Sequence, residues 1–154
     1  MSESIPEPSV GRATHTGVQC AALPYRWADG LRILLVTSRE TRRWVVPKGW
    51  LMKGKTAHAA AAREAMEEAG VVGRIGRTPI GAYRYIKRLK NGAPLECIVD
   101  VFPLEVARQL EHWPEQQQRT AHWFAVAEAA AAVDEAGLRD LIEGFGQTIT
   151  MATV

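Results

Sequence analysis

One short run carries the chemistry of this chain: Arg63-Glu64-Ala65-Met66-Glu67-Glu68-Ala69-Gly70-Val71. Glu64, Glu67 and Glu68 stand at i, i+3 and i+4, a spacing that gathers them on one face of a helix. Three like charges that close repel one another, so the cluster is unfavourable until a cation sits among them. Carboxylate oxygens suit a hard divalent ion, and Mg²⁺, with Mn²⁺ as its substitute, is the usual companion of a phosphate substrate. The competing interpretation is a solvated helix with an ordinary Glu-rich stripe. The preceding turn favours chemistry. Trp44-Val45-Val46-Pro47-Lys48-Gly49-Trp50 reads as a short strand broken at Pro-Lys-Gly. There a glycine lets the backbone approach a ligand closely, and its carbonyl could complete a metal shell.

The helix that must position these acids is well marked. Thr56 is a suitable N-cap, Ala57 to Ala69 are nearly all helix formers, and Gly70 sits where a left-handed terminal residue belongs. With the carboxylates on one side, the opposite side, Ala59, Ala62, Met66 and Ala69, is the predicted core face. Ala57, Ala60 and Ala61 extend the carboxylate face toward the helix start. Arg63 precedes Glu67 by four residues and can pair with it.

Gly49, Arg63, Glu64, Glu67, Glu68, Gly70 and Val71 fall at the spacing of the Nudix box, Gly-x5-Glu-x7-Arg-Glu-U-x-Glu-Glu-x-Gly-U, where U is bulky and aliphatic. The chain therefore resembles the Nudix hydrolase family. Two positions depart: Lys55 replaces the first Glu of the box, and Ala65 occupies a U position. Val36-Thr37-Ser38-Arg39, Trp44-Val45-Val46-Pro47, Trp113-Pro114-Glu115 and Trp123-Phe124 resemble the branch containing diphosphoinositol polyphosphate and diadenosine polyphosphate hydrolases. The similarity covers residues 17–145.

Net charge is +2, but it is unevenly spread. Residues 42–90 hold 12 basic residues against three acids, while the rest of the chain holds seven basic and 14 acidic residues. Positive charge concentrated around the carboxylates would attract a highly charged anion. A basic surface unrelated to the site, or one that touches nucleic acid, is the weaker alternative. Of the 154 residues, 47% are hydrophobic and 23% charged, as expected for one globular domain. No apolar run approaches a membrane span. Cys20 and Cys97 lie in apolar, strand-like surroundings and read as reduced, buried thiols of a cytoplasmic protein. The four histidines are scattered, which disfavours zinc.

The remaining chain reads as strands over residues 17–23, 31–38, 80–89, 95–106 and 120–126, with a loop over 24–30 and a connector over 72–77. Asn91-Gly92 marks a hairpin. Helices are predicted over 127–133 and 135–145, the latter ended by Gly144 and Gly146. A loose tail is expected over 1–14, a single domain over 15–148 and a C-terminal tail over 149–154. This order fits the fold that the resemblance implies: α/β, a Nudix α/β/α sandwich with a curled mixed β-sheet between helices.

The resemblance further implies hydrolysis of a phosphoanhydride. Glu64, Glu68 and Glu67 would hold Mg²⁺ with the carbonyl of Gly49. Glu67, oriented by Arg63, is the candidate general base, with an exchange of roles between Glu67 and Glu68 open. One of Glu96, Asp100 and Glu105 could add a ligand or base. Lys48, Lys53, Lys55, Arg84 and Arg88 are candidates to clamp the other phosphates. The partner is thus a small polyphosphate, with the protein a monomer or homodimer. The rival readings are a nucleoside triphosphate or nucleotide-sugar hydrolase and a non-catalytic ligand-sensing module.

Overall fold

The computed structural model describes residues 16–152, so the tail expected over 1–14 lies outside the described residues. The chain runs β1 (Thr16–Trp27), β2 (Leu31–Thr37), β3 (Trp44–Val45), β4 (Lys48–Trp50) and α1 (Ala57–Ala69). It continues through β5 (Val71–Ile75), β6 (Gly81–Arg88), β7 (Pro94–Gln109), β8 (Ala121–Ala125), α2 (Val126–Ala132) and α3 (Ala136–Ala152). The eight strands form one mixed sheet with the path β3-β2-β1-β7-β5; β4 joins β1, β6 joins β7 and β8 joins β2. The β1–β7 pairing is parallel, from Thr16 opposite Glu96 to Tyr25 opposite Glu105, and the other pairings are antiparallel.

Helices cover both faces, which explains the unbroken apolar runs Cys20 to Leu23 and Ile33 to Val36. Alternate residues serve separate cores. Ala21, Leu23, Ile33, Leu35, Tyr83, Val99 and Val101 pack with Leu138 and Ile142 of α3. Cys20, Ala22, Leu34, Val36, Phe102 and Leu104 pack with Ala60, Ala61, Ala65 and Ala69 of α1. The α/β sandwich is thus as the sequence implied. No helix among the described residues is long and apolar enough to cross a membrane.

Four local expectations need correction. The loop predicted over 24–30 is mostly strand: β1 passes through Pro24 to Trp27, because Tyr25, Arg26 and Trp27 pair with β2 across a tight turn at 28–30. The connector over 72–77 is largely β5, and Gly73 lies at a bulge where an added Cβ would collide with the backbone of Glu105. The last helix does not end at Gly144 and Gly146 but continues to Ala152, through the range assigned to a C-terminal tail. Gly146 serves close packing instead, since a Cβ there would come within 2.7 Å of Val126 Cγ1.

The fourth correction concerns α1. Its buried residues are Ala60, Ala61, Ala65, Glu68 and Ala69, so the predicted stripe of Ala59, Ala62 and Met66 is not the core face. The helix turns part of its acidic side inward. Alanines flanking those acids let the helix axis approach the sheet closely enough for Glu68 to be only 5% exposed.

Candidate active site

Both ends of α1 are fixed by local sequence. Thr56 Oγ1 accepts the Ala59 N–H at 3.3 Å. Gly70 adopts φ 70° and ψ 24° and donates its N–H to the Met66 carbonyl at 3.0 Å. A Cβ at Gly70 would meet the ring of Trp113 and come within 2.7 Å of Gln109 Nε2. The segment after β7 wraps this end: Gln109 donates to the carbonyls of Ala69 and Gly70, Leu110 to that of Gly70, and Glu115 to that of Glu67.

The three box carboxylates divide into a pair and a single. Glu64 and Glu68 lie close enough for each to shift the other's carboxyl, with Glu68 buried toward the sheet. Glu67 points outward, 27% exposed, and its Oε2 accepts from Arg63 Nε at 2.6 Å. This split follows from helix geometry. Residues i and i+4 stack one above the other, while i+3 lies to the side.

Gly49 is the seat of the pair. It lies in β4 opposite Cys20, on the face that α1 covers. The Glu64 carboxylate presses on its Cα, and a Cβ there would overlap Glu64 Oε2 and stand 2.5 Å from Cδ. Burial pushes the Glu68 carboxyl up to about 8, with Glu64 adding to the effect and Arg119 opposing it. Burial also raises Glu64, with Glu67 and Glu115 as further negative charges. The neighbouring Cys20 thiol is pushed up to about 11 by burial, then by Glu64 and Asp100, so it is an inert core group.

Among the described residues, no three His, Cys, Asp or Glu side chains already converge as a metal-binding group. Glu67 is turned away to Arg63. The donor set nevertheless fits a hard divalent ion. It consists of oxygens, its inner members are desolvated, and the missing Cβ at Gly49 leaves the room in which the Glu64 carboxylate lies.

The basic residues named from sequence are not all brought to this pair. Lys48 is linked to it only through space: burial lowers its pKa and Glu68 is the charge that most favours its ammonium form, but it pairs with Ala21, so its side chain emerges on the face opposite Gly49. It leaves β4 beside the Tyr85 ring, with Nζ 5.1 Å from the centroid. Lys53 and Lys55 are exposed in the turn before α1. Arg84 is bound to Glu96 at 3.2 Å, and Arg88 donates to the Gly92 carbonyl at 3.4 Å, both on exposed surface. Of the three later acids, Asp100 lies on the α1 face near Cys20, whereas Glu96 pairs with Arg84 and Glu105 with Arg74.

Two residues escaped the motif because they come from a distant loop. The Glu115 carboxylate acts on Glu64. Arg119 is 11% exposed, bonds Glu115 through Nε at 2.8 Å, and lies 3.9 Å from Glu68 Oε2. Only their i, i+4 spacing, a possible helix pair, hinted at a relation.

Metal-free stability should fall with pH. Glu68 holds its proton up to about pH 8 in the fold but only to about 4.5 unfolded. Between these values the native state binds more protons, so stability is full below the lower value and declines as pH rises through the window. A divalent ion competes with that proton, so its stabilising effect should grow over the same range. Thermal melting at pH 5 and pH 8, with and without Mn²⁺, checks this. A metal-induced shift that is equal at both pH values would contradict it.

Fold and site together define an α/β sandwich with a buried carboxylate, Glu68, beside a half-buried one, Glu64, that lies on a backbone glycine. The NUDIX domain model matches residues 19–145, and the chain belongs to that family. Among its relatives, Nudix hydrolase 12, mitochondrial, of Arabidopsis thaliana is 36% identical over 107 residues, covering 67% of this chain and 52% of that protein. Diphosphoinositol polyphosphate phosphohydrolase 3-alpha of Mus musculus is 33% identical over 114 residues, covering 72% of this chain and 65% of that protein. An Ap4A hydrolase of C. elegans, solved as a binary complex, shares the fold with a TM-score of 0.66 at 21% identity, over 87% of this chain and 98% of that one. The chain spans only 59% and 52% of the length of two of its Arabidopsis relatives.

Proposed function

We propose that the protein is a Mg²⁺-dependent Nudix pyrophosphohydrolase that cleaves a phosphoanhydride bond in a polyphosphorylated small molecule, of the diadenosine or diphosphoinositol polyphosphate type. The observation that carries this reading is the desolvated Glu64–Glu68 pair, with the Glu64 carboxylate pressed on Gly49. Two acids with raised pKa values, held where no side chain can intrude, are costly to the fold and suited to a cation. Glu64, Glu68 and Glu115 would hold the ion, and Glu67 stays paired with Arg63. When bound, such an ion offsets charge on phosphate oxygens and makes water a better nucleophile.

The residues of the chain supply the rest. Glu67 accepts the proton of the attacking water, and Arg63 Nε, 2.6 Å from Oε2, orients it with Oε1 left to act. Lys48, poorly solvated and beside Tyr85, binds a phosphate oxygen as a point charge. Arg84 and Arg88 could reach a longer polyphosphate only by leaving their present partners. Lys55, in place of the first box acid, is exposed and outside the carboxylate pair, which supports retention of activity. The two buried free thiols suit a reducing, cytoplasmic setting.

The test is a substrate panel with Mg²⁺: diadenosine polyphosphates, a diphosphoinositol polyphosphate, nucleoside triphosphates and nucleotide sugars, with products separated and quantified. Turnover of the first two classes, lost with Mg²⁺ removal, is expected. Preference for triphosphates or nucleotide sugars would replace the substrate assignment. Binding without turnover of any compound would make the protein a ligand-sensing module.

A further inference from the structure

The loop between β7 and β8 does more than connect them. Its Arg119 side chain spans three elements at once: Nε donates to Glu115 Oε1 at 2.8 Å, NH1 to the Thr37 carbonyl at 3.1 Å, and NH2 stands 3.9 Å from Glu68 Oε2. The last distance is too long for a hydrogen bond but close for an unscreened ion pair. The loop that carries the guanidinium is tied down at the next residue, Thr120. Thr37 N–H donates to the Thr120 carbonyl at 3.0 Å, and Thr120 N–H to Thr37 Oγ1 at 2.9 Å. Glu115 is also held at its backbone, by its N–H bond to the Glu67 carbonyl at 2.9 Å.

We infer that Arg119 is a positioning residue of the carboxylate site: anchored to the end of β2, its planar fork fixes Glu115 and backs Glu68 so that both present oxygens to one divalent ion. This rests on the metal-dependent reading above and adds a residue from outside the box. The geometry needs an arginine. Bonds to Glu115 and Thr37 leave from different nitrogens while a third nitrogen faces Glu68, and a lysine ammonium offers one nitrogen for all three. Arg63 has no such role toward the pair, as it is exposed and bound only to Glu67. Residues that orient metal ligands typically change affinity by about 10–100-fold when replaced.

The experiment is a calorimetric titration of the full chain with Mn²⁺ alone, without substrate, accompanied by melting curves. Arg119→Lys and Arg119→Gln are each expected to weaken Mn²⁺ binding by about tenfold or more. Arg139→Gln is the control for a purely structural arginine. Arg139 holds the carbonyls of Ala130 and Val133, away from the site, so its loss should lower melting temperature and leave Mn²⁺ affinity intact. If Arg119→Gln does not fold, Arg119→Lys decides. Wild-type affinity in the Lys variant overturns the inference, because charge alone would then suffice. Equal weakening in Arg139→Gln also overturns it, because general destabilisation would then be the cause. The parent reading fails separately: in that case Mn²⁺ would not bind the wild type, or would bind equally well to Glu64→Gln.

Discussion

Glu68→Gln should lose about a thousandfold in turnover while keeping or raising the melting temperature of the metal-free protein. The two effects have one cause. Burial holds the Glu68 carboxyl up to about 8, so at neutral pH the metal-free fold contains a largely protonated acid. Glutamine has nearly the shape of that acid and never ionises, so it fits the metal-free site without the cost of a buried charge. It also lacks the anionic oxygen that a divalent ion requires. Stability and catalysis thus pull in opposite directions at one atom, a trade expected of an active site. Steady-state kinetics with Mg²⁺ and melting with chelator present check both halves. A variant that unfolds, or one that retains more than a tenth of wild-type turnover, would count against this account.

Gly49→Ala should have the second largest effect, about a hundredfold loss of kcat, with the backbone of β4 undisturbed. This glycine is not in the left-handed region, so alanine meets no backbone penalty. The penalty is local. The new Cβ would stand 2.5 Å from Glu64 Cδ and overlap its Oε2, so the carboxylate must swing away. Glu64 would then no longer lie against Glu68, and the proposed ion would lose one of its two inner ligands. Circular dichroism should remain that of the wild type while Mn²⁺ affinity and kcat fall together. Unchanged affinity would mean that the Gly49 seat has no part in holding the ion. Gly70→Ala offers a contrast, since there the positive φ and the Trp113 ring both object and stability itself should fall.

The acids themselves were legible in sequence because helix periodicity is a local property. Glu64, Glu67, Glu68, the Thr56 cap and the Gly70 stop all follow from spacing within about four turns. The apolar runs of β1 and β2 likewise announced strands, and the structure buries them on both faces. The direction in which α1 faces was not legible. Charged residues ordinarily point to water, so periodicity placed the core on Ala59, Ala62 and Met66. Only contact with Gly49 and the sheet turns Glu64 and Glu68 inward. Glycines misled for a related reason. Gly146 resembles a helix stop, yet its role is to let Val126 approach, which depends on how α3 packs against the preceding helix.

The basic residues show the same division. Their concentration near the box was countable in the sequence, but count does not give reach. Lys48 pairs with Ala21 and so leaves β4 on the α3 side beside Tyr85, whereas Arg84 meets Glu96 across the β6–β7 hairpin. Arg119 was invisible for the strongest reason: it lies 51 residues beyond Glu68 and its significance rests on three contacts made by folding. Sequence alone therefore determined which chemical groups this protein owns and that a helix presents its acids together, since those are consequences of short-range geometry. Tertiary structure decided which acids are dry, which cations face them and what holds them still, since desolvation and long-range ion pairing exist only once the distant segments are packed.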